Sequence, residues 1–141
     1  MKLRLTLLLS LLITSCTGTR PSDIGIIDGK LKPCPDKPNC VSSFETKEQN
    51  RIQPLKAGKE PLKAIKSVLN SLNRVEIVKE TPNYIHAEFT SLIMGYVDDG
   101  EFYVSGGSEV HVRSASRLGT SDFGVNRERI ELIRAKLKGN N

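Results

Sequence analysis

Between Val75 and Ser116 the chain alternates between β-branched or polar–apolar runs and short turn-forming breaks, and no other feature narrows the possible folds as far. Val75 and Ile77 alternate with Glu76, and Thr81-Pro82-Asn83 marks a turn. From Tyr84 to Ser91, Ile85, Ala87 and Phe89 fall on one face of a strand, and Tyr84, His86, Glu88 and Thr90 on the other. Leu92-Ile93-Met94-Gly95 connects this run to Tyr96–Val104, and Ser105-Gly106-Gly107-Ser108 connects that to Glu109–Ser116. A Gly-Gly turn between such runs is a hairpin signal. Breaks this short leave no room for crossover helices, so the strands are expected to run antiparallel as a meander.

Two amphipathic helices flank the meander. From Gly58 to Asn73, Leu62, Ile65, Leu69 and Leu72 recur at spacings of three and four, Val68 widens the stripe, and Pro61 suits the first turn. From about Arg127 to Lys138, Ile130, Ile133 and Leu137 form a second stripe, with Asn126 as cap, Val125 and Ile130 as staple and Gly139 as stop. Arg51–Leu55 reads as a short edge strand, kept from a sheet centre by Pro54. The expected fold is α+β: an antiparallel sheet of four to five strands with two helices packed on one face.

The N-terminus gives an address. Lys2 and Arg4 precede an apolar run from Leu7 to Ile13, and Thr14-Ser15-Cys16 closes the segment. Small residues directly before a cysteine resemble a lipoprotein signal, with Cys16 becoming the lipidated terminus. The run is well short of the roughly 18 residues of a membrane-spanning helix; an uncleaved anchor and a plain secretory signal are the competing readings. The expected organisation is signal 1–15, lipidated tether 16–30 and one α+β domain over 31–141. Thr17 stands where an aspartate would favour inner-membrane retention, so an outer membrane is the expected address in a two-membrane cell. Lys2 and Arg4 carry two of the five units of formal net charge and leave with the signal. The remaining charge is unremarkable, and no nucleic-acid partner is expected.

If Cys16 carries lipid, Cys34 and Cys40 remain as a pair inside Pro33-Cys34-Pro35-Asp36-Lys37-Pro38-Asn39-Cys40. In an oxidising compartment such a pair reads as a structural disulfide. A zinc site would need further ligands, and a redox pair would be spaced Cys-x-x-Cys.

The densest polar cluster sets Asp98, Asp99 and Glu101 against Arg113, Ser114, Ser116 and Arg117. A hairpin turning on Gly106-Gly107 places Asp98 opposite Ala115, with Arg113 and Arg117 as its diagonal neighbours, and Asp99 opposite Ser114. That register sets Asp99 and Glu101 on the face of Val110 and Val112, where buried carboxylates are costly, and calls for a bulge at Gly100 or a real site. Three readings follow: an ion-pair network fixing the hairpin, a divalent-cation site on Asp98, Asp99 and Glu101, or an anion site on Arg113, Ser114, Ser116 and Arg117. Backbone N–H groups near Asp122 and Asn126 would assist the anion site. His86 and His111 read as strand-surface residues, and no catalytic set is recognisable.

Pro33-Cys34-Pro35, Pro38-Asn39-Cys40-Val41-Ser42-Ser43, DDGEF at 98–102 and RSASRLGTSDFGVNRERI at 113–130 together resemble the domain of unknown function family 1499. That family occurs in bacterial envelope and chloroplast-lumen proteins. The resemblance runs from about Leu31 to Leu137 and takes in Asp98, Asp99, Glu101, Arg113, Ser116, Arg117, Asp122, Asn126 and Arg129. It implies one domain outside the cytoplasm and carries no established activity. The expectation is therefore a membrane-anchored, non-catalytic binding or scaffold module for an envelope protein, a lipid headgroup or a small anionic ligand, without a cofactor. The alternative is a metal-assisted hydrolase using Asp98, Asp99 and Glu101.

Overall fold

The computed structural model describes residues 17–139, so the signal-like segment and Cys16 lie outside the described residues. In chain order the elements are β1 (Ile26–Ile27), β2 (Lys30–Leu31), β3 (Cys40–Ser42), β4 (Leu55–Lys56), α1 (Pro61–Asn70), β5 (Val75–Thr81), β6 (Tyr84–Thr90), β7 (Val97–Tyr103), β8 (Glu109–Ser116) and α2 (Val125–Gly139). The fold is α+β. A six-stranded sheet runs β3-β8-β7-β6-β5, β4 also pairs β8, and β1 and β2 form a separate two-stranded ribbon. Among the described residues no helix is long and apolar enough to cross a membrane.

The four long strands are the ones the alternation predicts. The sheet exceeds the expected four to five strands because Cys40–Ser42, read from sequence as loop, pairs with Arg113–Ala115 at the outer edge of β8. The weak strand expected at Arg51–Leu55 is displaced: β4 starts at Leu55 and pairs Val110 and Glu109, and Arg51 makes only an isolated parallel bridge to Ser42. Both short strands cover the same edge of β8, which leaves little of that edge open to another chain. The Cys34–Cys40 disulfide is formed and ends at the start of β3.

The hairpin register differs from expectation by one residue. Asp98 faces Ser116, Asp99 faces Ala115 and Glu101 faces Arg113, so the turn centres on Gly107 and holds an odd number of residues. A one-residue shift exchanges the faces of a strand, and here it takes Asp99 and Glu101 off the face of Val110 and Val112 without a bulge at Gly100. Phe102 now shares a face with Val112, and β7 is regular throughout. The irregularity lies instead in β5, between Ile77 and Lys79.

One face of the sheet carries Ile85, Ala87, Phe89, Phe102, Val110 and Val112, which form a single core with Ile65, Val68 and Leu69 of α1 and Ile130, Ile133 and Leu137 of α2. Gly100 belongs to the same face, and a Cβ there would stand 2.5 Å from Cε2 of Phe89. The glycine lets the Phe89 ring lie across β7 from its diagonal position, next to the Asp98 pair.

Candidate functional site

With the register set, the polar cluster divides between the two faces of the sheet. On the face away from the core, the cross-strand rows from β6 to β8 read Tyr84–Tyr103–His111, His86–Glu101–Arg113 and Glu88–Asp99–Ala115, with Arg117 just beyond the end of β8. Alternation alone places these side chains together, because i and i+2 residues of a strand share a face. They are buried nonetheless: Asp99 is 1 % exposed, Glu101 0 %, His86 5 % and Arg113 5 %.

The cover comes from the segment that composition assigns to a tether. The Gly25 N–H donates to Glu101 Oε1 at 2.8 Å, and Arg20 pairs with Glu88. Leu31 packs with Tyr84, Tyr103 and the partly buried Phe44 in a second small apolar cluster. Arg20, Gly25 and Leu31 thus lie against this face of the sheet.

Every carboxylate in this layer has a cationic partner. Arg117 holds Asp99 in a bidentate grip, Nε to Oδ2 at 2.8 Å and Nη2 to Oδ1 at 2.7 Å, and the same Nη2 donates to Glu88. His86 Nε2 lies 2.7 Å from Asp99 Oδ1; an ionised carboxylate only accepts, so Nε2 carries the proton. Burial alone would raise the Asp99 carboxyl, but the hydrogen bonds and charges of Arg117 and His86 outweigh it and hold it below the usual range. The Arg20 hydrogen bond, against desolvation and with help from Arg117, holds Glu88 low as well. Asp99, then Glu88, raise the Arg117 guanidinium further above its already high value. Glu101 accepts from Tyr84 Oη at 2.8 Å and from Arg113 Nη1 at 3.1 Å. Burial, and next the charge of Glu101, push the Tyr84 hydroxyl upward. Arg113 Nε has no partner among the described residues.

The core-side face holds the rest. Asp98 pairs with Arg129 Nη2 at 2.6 Å, and the guanidinium carbon of Arg129 sits 4.5 Å from the centroid of the Phe89 ring. Asn126, expected as the helix cap, is fully buried inside the first turn of α2. Its amide oxygen accepts from Ser114 Oγ and Arg129 Nη1, and its amide nitrogen donates to the Asn39 carbonyl, Ser116 Oγ and Asp122 Oδ2. The capping role belongs to Asp122, whose carboxylate accepts from the N–H groups of Gly124 and Asn126. The staple counted from Asn126 as cap therefore loses its frame.

The sequence-derived set is thus two networks. Asp99, Glu101, Arg113 and Arg117 face the N-terminal segment; Asp98, Ser114, Ser116, Asp122 and Asn126 face α2. The trio Asp98, Asp99 and Glu101 does not converge, because Asp98 points to the opposite face. The register shift also takes both arginines away from Asp98, Arg113 to Glu101 and Arg117 to Asp99. Tyr84, His86, Glu88, Asn39 and Arg129 complete the networks. The shared face of Tyr84, His86 and Glu88 was the available signal for the first three, but nothing local paired that face with β7. His86 is buried rather than on the strand surface, and the half-buried His111 stacks on Phe44 at 4.4 Å.

His86, Glu88 and Asp99 bring their ligand atoms within 4.8 Å of one another, the spacing of a candidate metal site. Arg117 already occupies the cationic position between the two carboxylates, so an ion there would have to displace a bidentate guanidinium. The anion reading meets the same obstacle in reverse, since Arg113 and Arg117 are neutralised within the fold. The open feature nearby is a cleft of about 570 Å³ at the end of the sheet, between the 91–96 loop and the 117–124 loop. Asp98, Ser116 and Asp122 stand beside Tyr96, Leu118 and Phe123 in its wall.

Comparison with known proteins adds one match. A family model described as "Protein of unknown function (DUF1499)" matches residues 30–137. No curated protein and no solved structure matches the chain.

Proposed function

We propose that this chain, which belongs to the DUF1499 family of proteins of unknown function, is a lipid-anchored, non-catalytic binding module of the cell envelope. Its charged cluster is structural, and its binding surface is the end of the sheet formed by the 91–96 and 117–124 loops. The observation that carries this reading is the position of Arg117, which already bridges Asp99 and Glu88 in a buried layer. A metal-assisted hydrolase needs carboxylates free to ligate and a bound water that substrate can reach; here Asp98, Asp99 and Glu101 are each spent on a guanidinium group, and Asp98 stands on the opposite face from the other two. A small anionic ligand is disfavoured for the same reason. The anchoring part rests on the resemblance of residues 1–16 to a lipoprotein signal, which supports an address outside the cytoplasm, at an outer membrane where the cell has two.

Thermal unfolding in chelator, then with Mg²⁺, Ca²⁺, Mn²⁺ or Zn²⁺, separates the classes, because an ion that binds only the folded state raises the midpoint. The expected result is no rise with any ion, and an Asp99→Asn variant that melts earlier in chelator and in metal alike. A rise that His86→Ala abolishes would overturn the reading and put a metal centre on His86, Glu88 and Asp99 in its place. Cys16→Ala should release the protein from the membrane fraction; retention would defeat the anchoring claim.

A further inference from the structure

Among the described residues, large apolar side chains are left exposed mainly at one end of the sheet. Leu92, Ile93 and Met94 in the β6–β7 loop are 73 %, 89 % and 54 % exposed, and Phe123 in the β8–α2 loop is 93 % exposed. Tyr96 and Leu118 are exposed beside them. Such a cluster is rare on a soluble surface without a partner. The loops that carry it are held in shape. Ser91 and Tyr96 close the first with the Ser91 N–H to the Tyr96 carbonyl at 2.8 Å and the Tyr96 N–H to Ser91 Oγ at 2.9 Å. In the second, the Phe123 N–H donates to Ser121 Oγ at 3.2 Å. Phe123 also has φ of 55°, which an aromatic residue adopts at a cost. A strained backbone that lifts a phenyl ring into solvent gains nothing for the core.

The described residues begin at the same place. A Cβ on Gly18 would lie 3.0 Å from Cβ of Arg117 and 3.1 Å from Cγ of Leu118. Cys16 is two residues upstream, within about 7 Å at the reach of an extended chain. Arg74, exposed at the start of β5, hydrogen-bonds the Thr90 carbonyl at this same end and offers a cation for headgroup phosphate.

We propose that the 91–96 and 117–124 loops dock into the bilayer interface, with Leu92, Ile93, Met94 and Phe123 entering the headgroup–acyl boundary beside the lipid on Cys16. A lipid on a flexible terminus leaves the orientation of the domain open, and a second apolar contact strengthens the attachment and fixes that orientation. The sheet then stands with its Gly106-Gly107 hairpin away from the membrane. This inference rests on the anchoring reading above.

The chain contains no tryptophan, so Ile93→Trp, Phe123→Trp and Ser105→Trp each create a single reporter. Ser105 is exposed at the opposite end of β7, about 20 Å away at strand rise. The full lipidated chain would be reconstituted in phosphatidylethanolamine–phosphatidylglycerol vesicles, with and without brominated acyl chains. The expected result is a blue-shifted emission for Ile93→Trp and Phe123→Trp, quenched several-fold more by brominated lipid than by iodide, and the reverse for Ser105→Trp. Protein that floats with the vesicles while all three reporters stay open to iodide would overturn docking and leave anchoring intact. Protein that does not float would defeat both. A blue shift that follows protein concentration rather than vesicles would make a second copy the occupant and also overturn the proposal.

Discussion

Replacing Arg117 with Met tests whether the charged layer is held together as its geometry implies. Arg117 makes three charge-assisted hydrogen bonds, two to Asp99 and one to Glu88, and its side chain is 5 % exposed. Methionine keeps much of the aliphatic volume and removes the donors. Breaking a buried pair from one side strands the other charge and costs about 3–5 kcal/mol. For a domain of this size that lowers the melting midpoint by roughly 10–20 °C. The pH dependence sharpens the test. In the native protein the Asp99 and Glu88 carboxyls are held low, so their stabilisation is complete above the unfolded values of about 3.9 and 4.3, and it is lost as pH falls through the folded ones. These groups leave native stability flat between pH 7.5 and 5. Without Arg117, burial, the largest influence on Asp99, dominates and raises its folded pKa above the unfolded one. The penalty is then full at pH 7.5 and shrinks as falling pH protonates the carboxyl. Denaturant titrations of both proteins at pH 7.5 and 5 should show the wider gap at pH 7.5, and Asp99→Asn added to Arg117→Met should recover stability. A loss under about 1 kcal/mol, the scale of an exposed pair, or an equal gap at the two pH values would refute the reasoning.

Other expectations follow from the same contacts. Asn126→Ala removes five side-chain hydrogen bonds from a fully buried position and should cost about 3 kcal/mol in equilibrium unfolding, through partners left unsatisfied. Gly100→Ala puts a methyl 2.5 Å from the Phe89 ring and should cost about 1–3 kcal/mol; Phe89→Leu in the same chain should recover part of that if the clash is the cause, as a double-mutant cycle will report. The paired change Cys34→Ser and Cys40→Ser opens a short loop and should lower stability by roughly 2 kcal/mol with the fold retained, seen as a lower denaturant midpoint with an unchanged circular dichroism spectrum.

Residue patterns stated much of this molecule in advance. Side-chain periodicity is local, so Leu62 to Leu72 and Ile130 to Leu137 announce helices, and the alternation around Ile85, Ala87 and Phe89 announces a strand with one core face. Pro61 marks the first turn of α1, and the short Cys34–Cys40 spacing announces a disulfide that chain stiffness brings together. A type-and-order reading of that kind needs no knowledge of distant contacts, and it also selects Asp98 to Glu101 and Arg113 to Arg117 as the polar cluster.

What the tertiary structure decided is how those pieces meet. The Gly106-Gly107 turn is compatible with an even or an odd loop, and only the burial of Phe102 beside Val112 against the helices selects the odd one. That single step sends Asp99 and Glu101 to one face, sends Asp98 to the other, and replaces an acidic trio with two neutralised networks. Cys40–Ser42 becomes a strand because β8 offers an open edge, a fact about another part of the chain. The polar residues before Leu31 resemble a tether in composition, yet Arg20 and Gly25 reach the charged face and add hydrogen bonds to Glu88 and Glu101. The hydrophobic pattern of each segment is written in its neighbours along the chain, whereas register, edge pairing and charge neutralisation are settled by residues dozens of positions away.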